Sequence, residues 1–136
     1  MKFIIPEDDN RKRFCCPDCG EIFYSNPNVV VGALSVHDNK ILMAKRNIFP
    51  RKDKWTLPAG FLENGETLQE GAIRETQEET LADIKIIQPY TMISLPHINQ
   101  VHMFYLADLP NPTFGTTIES SEVKLLALEA VSYTHL

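Results

Sequence analysis

The chain has 136 residues, a formal net charge of −5 and 43% hydrophobic residues. This length predicts one domain with a core of its own, and the composition argues against disorder. No apolar run reaches the ~20 residues that a membrane span needs, and residues 1–6 lead into acidic residues without a secretory signal, so we expect a cytoplasmic protein. The acidic balance argues against a general binder of duplex nucleic acid, which needs a surplus of Lys and Arg.

The three cysteines of the chain, Cys15, Cys16 and Cys19, lie within five residues. Cys16 and Cys19 flank a turn closed by Gly20, and this spacing is typical of a zinc knuckle. Tetrahedral zinc needs four ligands, and no second pair occurs at that spacing, so we do not expect this chain alone to bind Zn²⁺. Cys16 and Cys19 are then either a vestigial zinc site or a contact in a homodimer.

The first half of the chain predicts a turn-rich segment followed by a β-hairpin. Residues 1–27 are polar and turn-rich, whereas residues 29–36 form a continuous apolar run that is typical of a buried strand. A turn at Asp38 and Asn39 leads to a returning strand over residues 40–46. A basic loop over residues 47–54, a short extended segment and a loop over residues 60–65 complete this half.

A helix follows, with Thr67 as its N-cap and Glu70 at the third helical position, which together form a capping box. We expect this helix to continue to about Ala82. Residues 84–95 and 98–109 predict two strands joined around Pro96-His97, and residues 122–128 a last strand or helix. Strands on both sides of one capped helix predict a mixed α/β domain.

Acidic residues dominate the predicted helix. Between residues 63 and 83 there are seven acidic side chains and one basic side chain. Glu75, Glu78 and Glu79 converge at i,i+3 and i,i+4 spacing, with Arg74 beside them. The side expected to pack on a sheet is formed by Leu68, Ala72, Ile73 and Thr76. The carboxylates are either a solvated face or, in a cleft, a site for Mg²⁺ or Mn²⁺.

The stretch over residues 60–82 resembles the Nudix box. That signature is a Gly, five residues, Glu, seven residues, Arg-Glu, an aliphatic, any residue, Glu-Glu, any residue, Gly and an aliphatic. The matching residues are Gly60, Glu66, Arg74, Glu75, Glu78 and Glu79. Thr76 and Ala82 replace larger aliphatics, and Leu81 replaces the Gly that normally ends the helix. The resemblance implies an α/β/α sandwich with a mixed sheet.

The resemblance extends beyond the box. Residues 55–61 look like the Nudix lead-in, and Cys16 to Gly20 are similar to a subgroup with an N-terminal zinc ribbon. We therefore expect a partial zinc-ribbon-like segment over residues 1–26 and a Nudix hydrolase domain over residues 27–136. We also expect a fragment truncated at both ends, which lacks the family's C-terminal helix and ends in a non-native segment over residues 131–136.

Nudix enzymes hydrolyse a nucleoside diphosphate linked to another group. On this chain the resemblance implies that Glu75, Glu79 and the Ala59 carbonyl bind Mg²⁺ (or Mn²⁺), and that Glu78 is either a ligand or an outer carboxylate. Arg74 would hold the glutamates in place. Glu78 is the candidate general base. The reserve candidates are Glu119 and Glu122.

The substrate implied by the resemblance is a small nucleotide such as ADP-ribose, FAD or NADH. Arg46 would contact a phosphate, and Trp55 or Phe61 would stack on a base. The alternatives are an ordinary exposed position for Arg46 and core positions for the two aromatics. Glu66 either braces the loop or binds metal, and His97 and His102 are expected on or near strands.

Two other functions stay open at this point. One is a non-catalytic Nudix-fold module that binds nucleotides, and the other is a zinc-ribbon adaptor that binds nucleic acid.

Overall fold

The structure, a computed structural model, describes residues 1–49 and 52–127. Among these residues no helix is both long and apolar enough to cross a membrane. The expectations for a C-terminal helix and for residues 131–136 lie outside the described residues.

The N-terminal segment forms a small antiparallel sheet, where the sequence had predicted only turns. Its strands, in spatial order, are β1 (Lys2–Ile4), β2 (Arg13–Cys15) and β3 (Ile22–Phe23). Phe3 lies opposite Phe14, and Phe14 lies opposite Phe23. Cross-strand aromatic pairs of this kind stabilise short strands that have weak sequence signals of their own.

A larger mixed sheet forms the rest of the molecule. Its strands are β4 (Asn28–His37), β5 (Lys40–Arg46), β6 (Trp55–Thr56), β7 (Ala59–Phe61), β8 (Lys85–Leu95), β9 (Gln100–Asp108) and β10 (Ser120–Ala127). The main spatial order is β10-β5-β4-β9-β8, with β4 and β9 parallel and the other neighbours antiparallel. The predicted β4–β5 hairpin is confirmed, and its two turn residues both adopt positive φ, 49° at Asp38 and 62° at Asn39. Of the strand and the helix considered for residues 122–128, the described residues form the strand β10, and a 3-10 turn over Pro96–Ile98 joins β8 to β9.

The sheet splits between β4 and β5, and β6 and β7 occupy the opening. Only the turn end of β4 pairs with β5, at Val36 and His37. Further along, β7 pairs with β4 and β6 pairs with β5. Gly32 makes this close approach feasible, because a Cβ there would lie 2.6 Å from both the Ala59 Cβ and the Pro58 carbonyl oxygen. Residues 59–61 are therefore strand, which corrects the predicted loop over residues 60–65.

The helix α1 (Leu68–Thr80) begins as predicted. Thr67 is its N-cap, and the reciprocal bonds of the capping box with Glu70 are both 3.1 Å long. The helix ends two residues earlier than expected. Leu81 is the C-cap in the left-handed conformation, with φ of 61°, and its N–H donates to the Gln77 carbonyl. Leu81 thus takes over the backbone conformation for which the family uses Gly.

The face that α1 packs on the sheet differs from the predicted one. Leu68 and Ile73 are 37% and 39% exposed. The buried residues of the helix are Gly71, Ala72, Glu75, Thr76 and Thr80. These side chains are mostly small, so the helix lies close to the sheet, and this close packing draws the Glu75 carboxylate into the interface.

Successive side chains of β5 point to opposite faces of the sheet and pack into two separate parts of the core. Ile41 and Met43 pack on one side with Leu57, and Leu42 packs on the other with Ala82 and Leu109. A third buried group joins Val31 of β4 to Ala72 of α1 and to Tyr105 of β9. Central strands that are buried on both faces are expected to be mainly apolar, as the middle parts of β4 and β5 are. This packing fixes α1 against β4 and β7.

Candidate functional site

Arg74 forms hydrogen bonds with three glutamates of the candidate site. Its guanidinium donates to both oxygens of Glu66, at 2.9 and 2.8 Å, and to the Phe61 carbonyl oxygen at 3.0 Å. Its Nη1 also donates to Glu75 at 2.9 Å and to Glu78 at 3.2 Å. The planar guanidinium can serve several acceptors at fixed angles, which a lysine cannot do. Arg74 therefore holds α1 and the segment before it in one arrangement.

Glu66 acts within the loop that precedes α1. Besides the bonds from Arg74, its carboxylate accepts the backbone N–H of Glu63 at 2.8 Å. The hydrogen bonds from Arg74 and then Glu63 lower the pKa of Glu66 to about 2. Of the two roles considered for Glu66, these contacts favour bracing the loop.

Glu75 is a carboxylate in the interface between helix and sheet. The residue is only 8% exposed, and burial raises its pKa, although Arg74 acts in the opposite direction. The charges of Glu78 and Glu119 raise it further. A Cβ at residue 60 would overlap this carboxylate, so only Gly60 leaves it room.

Glu79 lies one helical turn further on and faces β7. Its Oε2 accepts the backbone N–H of Ala59 at 2.9 Å. Burial raises its pKa to about 8, and the charges of Glu75 and Glu119 add to this, whereas the Ala59 N–H and Arg46 lower it. Two neighbouring carboxylates whose pKa values are both raised by burial favour a bound cation.

Glu119 lies in a loop that is remote in sequence, and its charge acts on Glu75 and Glu79. Its N–H donates to Thr117 Oγ1 at 3.2 Å, and its carbonyl accepts the backbone N–H of Asn47 at 3.0 Å. The Nδ2 of Asn47 also donates to the Ile118 carbonyl at 3.3 Å. Sequence reasoning missed Asn47 and Thr117, because the Asn47 bonds join residues about 70 positions apart and have no local signal.

Glu122, the other reserve residue, has different neighbours. Its carboxylate pairs with Lys124 Nζ at 3.2 Å and with Lys45 Nζ at 3.9 Å. It therefore belongs to the ion pairs between β10 and β5, whereas Glu119 acts on Glu75 and Glu79.

The three residues expected to contact substrate have different surroundings. Arg46 is half-buried and its charge reaches Glu79, so it is not the ordinary exposed arginine considered above. Trp55 packs partly on the core beside Leu57, with Lys124 Nζ 5.7 Å from its ring centre. Phe61 is 54% exposed, which excludes the core position considered for it.

The remaining predicted residues lie outside this cluster. His97 is exposed in the 3-10 turn, and His102 lies on β9 with its Nε2 2.9 Å from Gln100 Oε1, both on or near strands as predicted. Cys16 and Cys19 flank a turn in which the Gly20 N–H donates to the Cys16 carbonyl at 2.9 Å. Backbone N–H groups of Cys19 and Asp18 lower the pKa of Cys16. Cys15 is buried, and its thiol contacts the Arg13 carbonyl instead.

The donor groups at the site determine which metal ions it suits. Within residues 1–49 and 52–127, no three His, Cys, Asp or Glu side chains are arranged as a ready-made metal cage. The donor chemistry nevertheless suits a hard divalent cation, because Glu75 and Glu79 are buried carboxylates held beside a backbone segment. The knuckle supplies two of the four ligands that zinc needs, so Cys16 and Cys19 do not fit a complete zinc site.

The fold and the carboxylate-bearing helix define a class: a mixed α/β domain whose candidate site lies where a capped helix meets a strand inserted into the sheet. The family model described as NUDIX domain matches residues 26–135, and a zinc-ribbon model described as Nudix N-terminal matches residues 1–25. The chain belongs to the Nudix family, and its α/β fold with a mixed sheet is the Nudix fold.

Several known proteins are similar to this chain in sequence, and a solved structure is also similar in fold. A solved NUDIX hydrolase from Nitrosomonas europaea is 50% identical, with a TM-score of 0.88 over 92% of this chain and 71% of that one. An ADP-ribose pyrophosphatase of Methanocaldococcus jannaschii is 47% identical over 42% of this chain and 34% of its own length. A NAD-capped RNA hydrolase NudC of Vibrio atlanticus is 34% identical over 76% of this chain and 38% of its own length. The chain thus spans about a third of the length of these two curated relatives.

Proposed function

We propose that the chain is a metal-dependent pyrophosphohydrolase that cleaves a nucleoside diphosphate linked to another group. The observation that carries this proposal is the pair of buried carboxylates, Glu75 and Glu79, whose pKa values are both raised by burial and which lie beside Ala59 and Gly60. The similarity to an ADP-ribose pyrophosphatase and to a NAD-capped RNA hydrolase supports substrates of this class. ADP-ribose, FAD and NADH all contain the required pyrophosphate.

The proposed roles follow the contacts. Glu75, Glu79 and the Ala59 carbonyl would bind the cation, with Glu78 as a further or outer carboxylate, and Arg74 would fix their positions. Mg²⁺ is the expected cation and Mn²⁺ the alternative, since both prefer oxygen ligands. When bound, the cation neutralises charge on the pyrophosphate and lowers the pKa of the attacking water.

The reaction needs a base as well as a cation. The oxygen of water forms a bond to one phosphorus, the bridging P–O bond breaks, and the proton passes to a carboxylate. Glu78 is the candidate base, and Arg74 donates a hydrogen bond to its carboxylate at 3.2 Å. Glu119 is the reserve, and its influence on the pKa values of Glu75 and Glu79 places its charge at the cluster.

Substrate contacts are proposed for Arg46, Trp55 and Phe61. The charge of Arg46 lies near Glu79 and suits a phosphate. Phe61 has the more exposed ring and is the better candidate for stacking on a base. A cytoplasmic location, a homodimer and the division at residue 26 stay predictions.

The testing experiment incubates the purified chain with ADP-ribose, FAD, NADH or dGTP in Mg²⁺, Mn²⁺ or EDTA and quantifies the mononucleotides released. Metal-dependent release of AMP from one of the first three supports the proposal and identifies the substrate. A folded chain that cleaves none of them but binds one contradicts it and favours the nucleotide-binding module. Comparison of Glu78→Gln with Glu119→Gln then identifies the base. The variant that lacks the base is expected to lose the rise in rate on the acidic side of the pH–rate profile.

A further inference from the structure

A row of phenylalanines crosses the N-terminal sheet on one face. Phe3, Phe14 and Phe23 occupy directly paired positions on β1, β2 and β3. The rings of Phe3 and Phe14 stack with their centres 4.7 Å apart. The three residues are 55%, 49% and 43% exposed, respectively. Large aromatic side chains in a row on a solvent-facing sheet are unusual unless something covers them.

Cations border this row. A groove of about 470 Å³ is lined by the three phenylalanines together with Arg11, Lys12, Arg13 and Ser25. No carboxylate is among the residues that line it, although the chain as a whole is acidic. The groove therefore combines aromatic faces with local positive charge.

One of these cations has a structural role. Arg13 pairs with Asp9 at 3.3 Å, and its guanidinium lies 5.2 Å from the ring centre of Tyr24. These contacts hold Arg13 at the side of the groove and neutralise part of its charge. Arg11 and Lys12 are exposed and remain as the main candidates for contacts to an anionic ligand.

We propose that this groove binds a short single strand of nucleic acid, with bases against the exposed faces and edges of the phenylalanine row and phosphates at Arg11 and Lys12. Because Phe3 and Phe14 stack on each other, a base can stack only on the ring faces that this pair leaves free, beside the adjacent Phe23. Every base has a face that can stack, so the binding requires no particular sequence. A duplex keeps its bases inside and offers the platform only its phosphates.

The test measures fluorescence anisotropy of a labelled RNA single strand of about eight nucleotides, titrated with the full chain in EDTA. Parallel arms use the DNA strand of the same sequence and the corresponding DNA duplex. We expect a Kd of about 100 µM or tighter for single strands at low salt, and much weaker binding of the duplex. EDTA withholds divalent cations, so the outcome does not depend on whether the proposed hydrolysis occurs.

Two variants test the aromatic and the cationic parts separately. Phe14→Leu keeps an apolar side chain but removes the ring, and we expect it to weaken binding at least about fivefold. The double variant Arg11→Ala/Lys12→Ala leaves the strands intact and should reduce the slope of log Kd against log salt by about 1.4. The matched control is Lys40→Ala/Lys85→Ala, which removes two exposed lysines from the large sheet and should bind as wild type.

Circular dichroism establishes that each variant is folded. If Phe14→Leu fails to fold, the cationic variant alone decides the outcome. Three results would overturn the proposal: no single-strand binding, equal loss in the control, or equal affinity for duplex. A dimer that binds no oligonucleotide and dissociates in Phe14→Leu would also overturn it, because a second copy would then cover the row.

Discussion

The backbone N–H of Ala59 donates to the Glu79 carboxylate at 2.9 Å, which ties the last turn of α1 to the start of β7. This bond compensates only part of the cost of burying Glu79, whose pKa still rises to about 8. An enzyme that binds a cation at this point would gain from such an arrangement, because the cation relieves the remaining repulsion.

Replacement of Glu79 should abolish most activity without unfolding the protein. Glu79→Gln removes a proposed metal ligand but keeps the side-chain volume and an oxygen that can accept the Ala59 N–H. We expect turnover to fall at least about 100-fold at saturating Mg²⁺, with an unchanged circular dichroism spectrum. The control is Glu63→Gln, an exposed carboxylate before the helix. Near-wild-type turnover of Glu79→Gln would remove Glu79 from the site.

Stability should fall as the pH rises through the neutral range. The pKa of Glu79 is about 8 in the folded protein against an ordinary value of 4.5, so ionisation is costlier in the folded state than in the unfolded one. The contribution of protonated Glu79 to the free energy of unfolding is therefore complete below about pH 4.5 and is lost as the pH approaches 8. The raised pKa of Glu75 changes the stability in the same direction.

Urea unfolding in EDTA measures this dependence. We expect the free energy of unfolding to be lower at about pH 8 than at about pH 5 by on the order of 2 kcal/mol, and Glu79→Gln to remove most of the difference. A wild-type profile that is parallel to that of Glu79→Gln would show that Glu79 does not titrate in this range.

Gly60 should be intolerant of any side chain. A Cβ at this residue would overlap the Glu75 carboxylate, so Gly60→Ala must displace Glu75 or β7. We expect a loss of stability of about 1–3 kcal/mol and a drop in kcat/KM of more than about tenfold. The matched control is Gly115→Ala, where the nearest atom is the flexible Leu81 Cδ1 at 3.3 Å. Equal effects of the two substitutions would contradict the proposed packing.

Leu81 offers a way to stabilise the protein. It is 51% exposed and holds the left-handed conformation with φ of 61°, which is strained for any residue that has a Cβ. Leu81→Gly should raise the free energy of unfolding by about 1 kcal/mol, which corresponds to a few degrees in Tm. Leu81→Ala removes the side chain but keeps the Cβ, so its Tm should not rise. A gain of the same size in both variants would locate the effect in the side chain.

The parts of the fold that local chemistry determines were predictable. Thr67 and Glu70 specify the start of α1 within four residues, and the apolar run of β4 with its Asp38-Asn39 turn specifies the hairpin. The split of the sheet was not predictable, because the pairing of Gly32 with Ala59 joins residues far apart in the chain. The N-terminal sheet was missed for another reason: each of its strands has only two or three residues, too few to show a periodic pattern.

The candidate site shows the same division. The spacing of Glu75, Glu78 and Glu79 brings them to one side of α1, but it does not reveal which of them is buried. Glu75 is buried because small side chains let α1 approach the sheet closely. Ile73, which was expected to pack on the sheet, is exposed. The approach of Glu119 depends on a loop held by Asn47, which periodicity cannot reveal.

The strands inserted between β4 and β5 also give the molecule a spectroscopic reporter. Trp55 is the single tryptophan of the chain and lies in β6, three residues before the Pro58–Ala59 peptide. Its ring is half-buried against Leu57 and beneath Lys124, so its emission senses whether the gap in the sheet is filled. Intrinsic fluorescence can thus follow, without any label, the moment in refolding when this segment docks and the carboxylates of α1 acquire their neighbours.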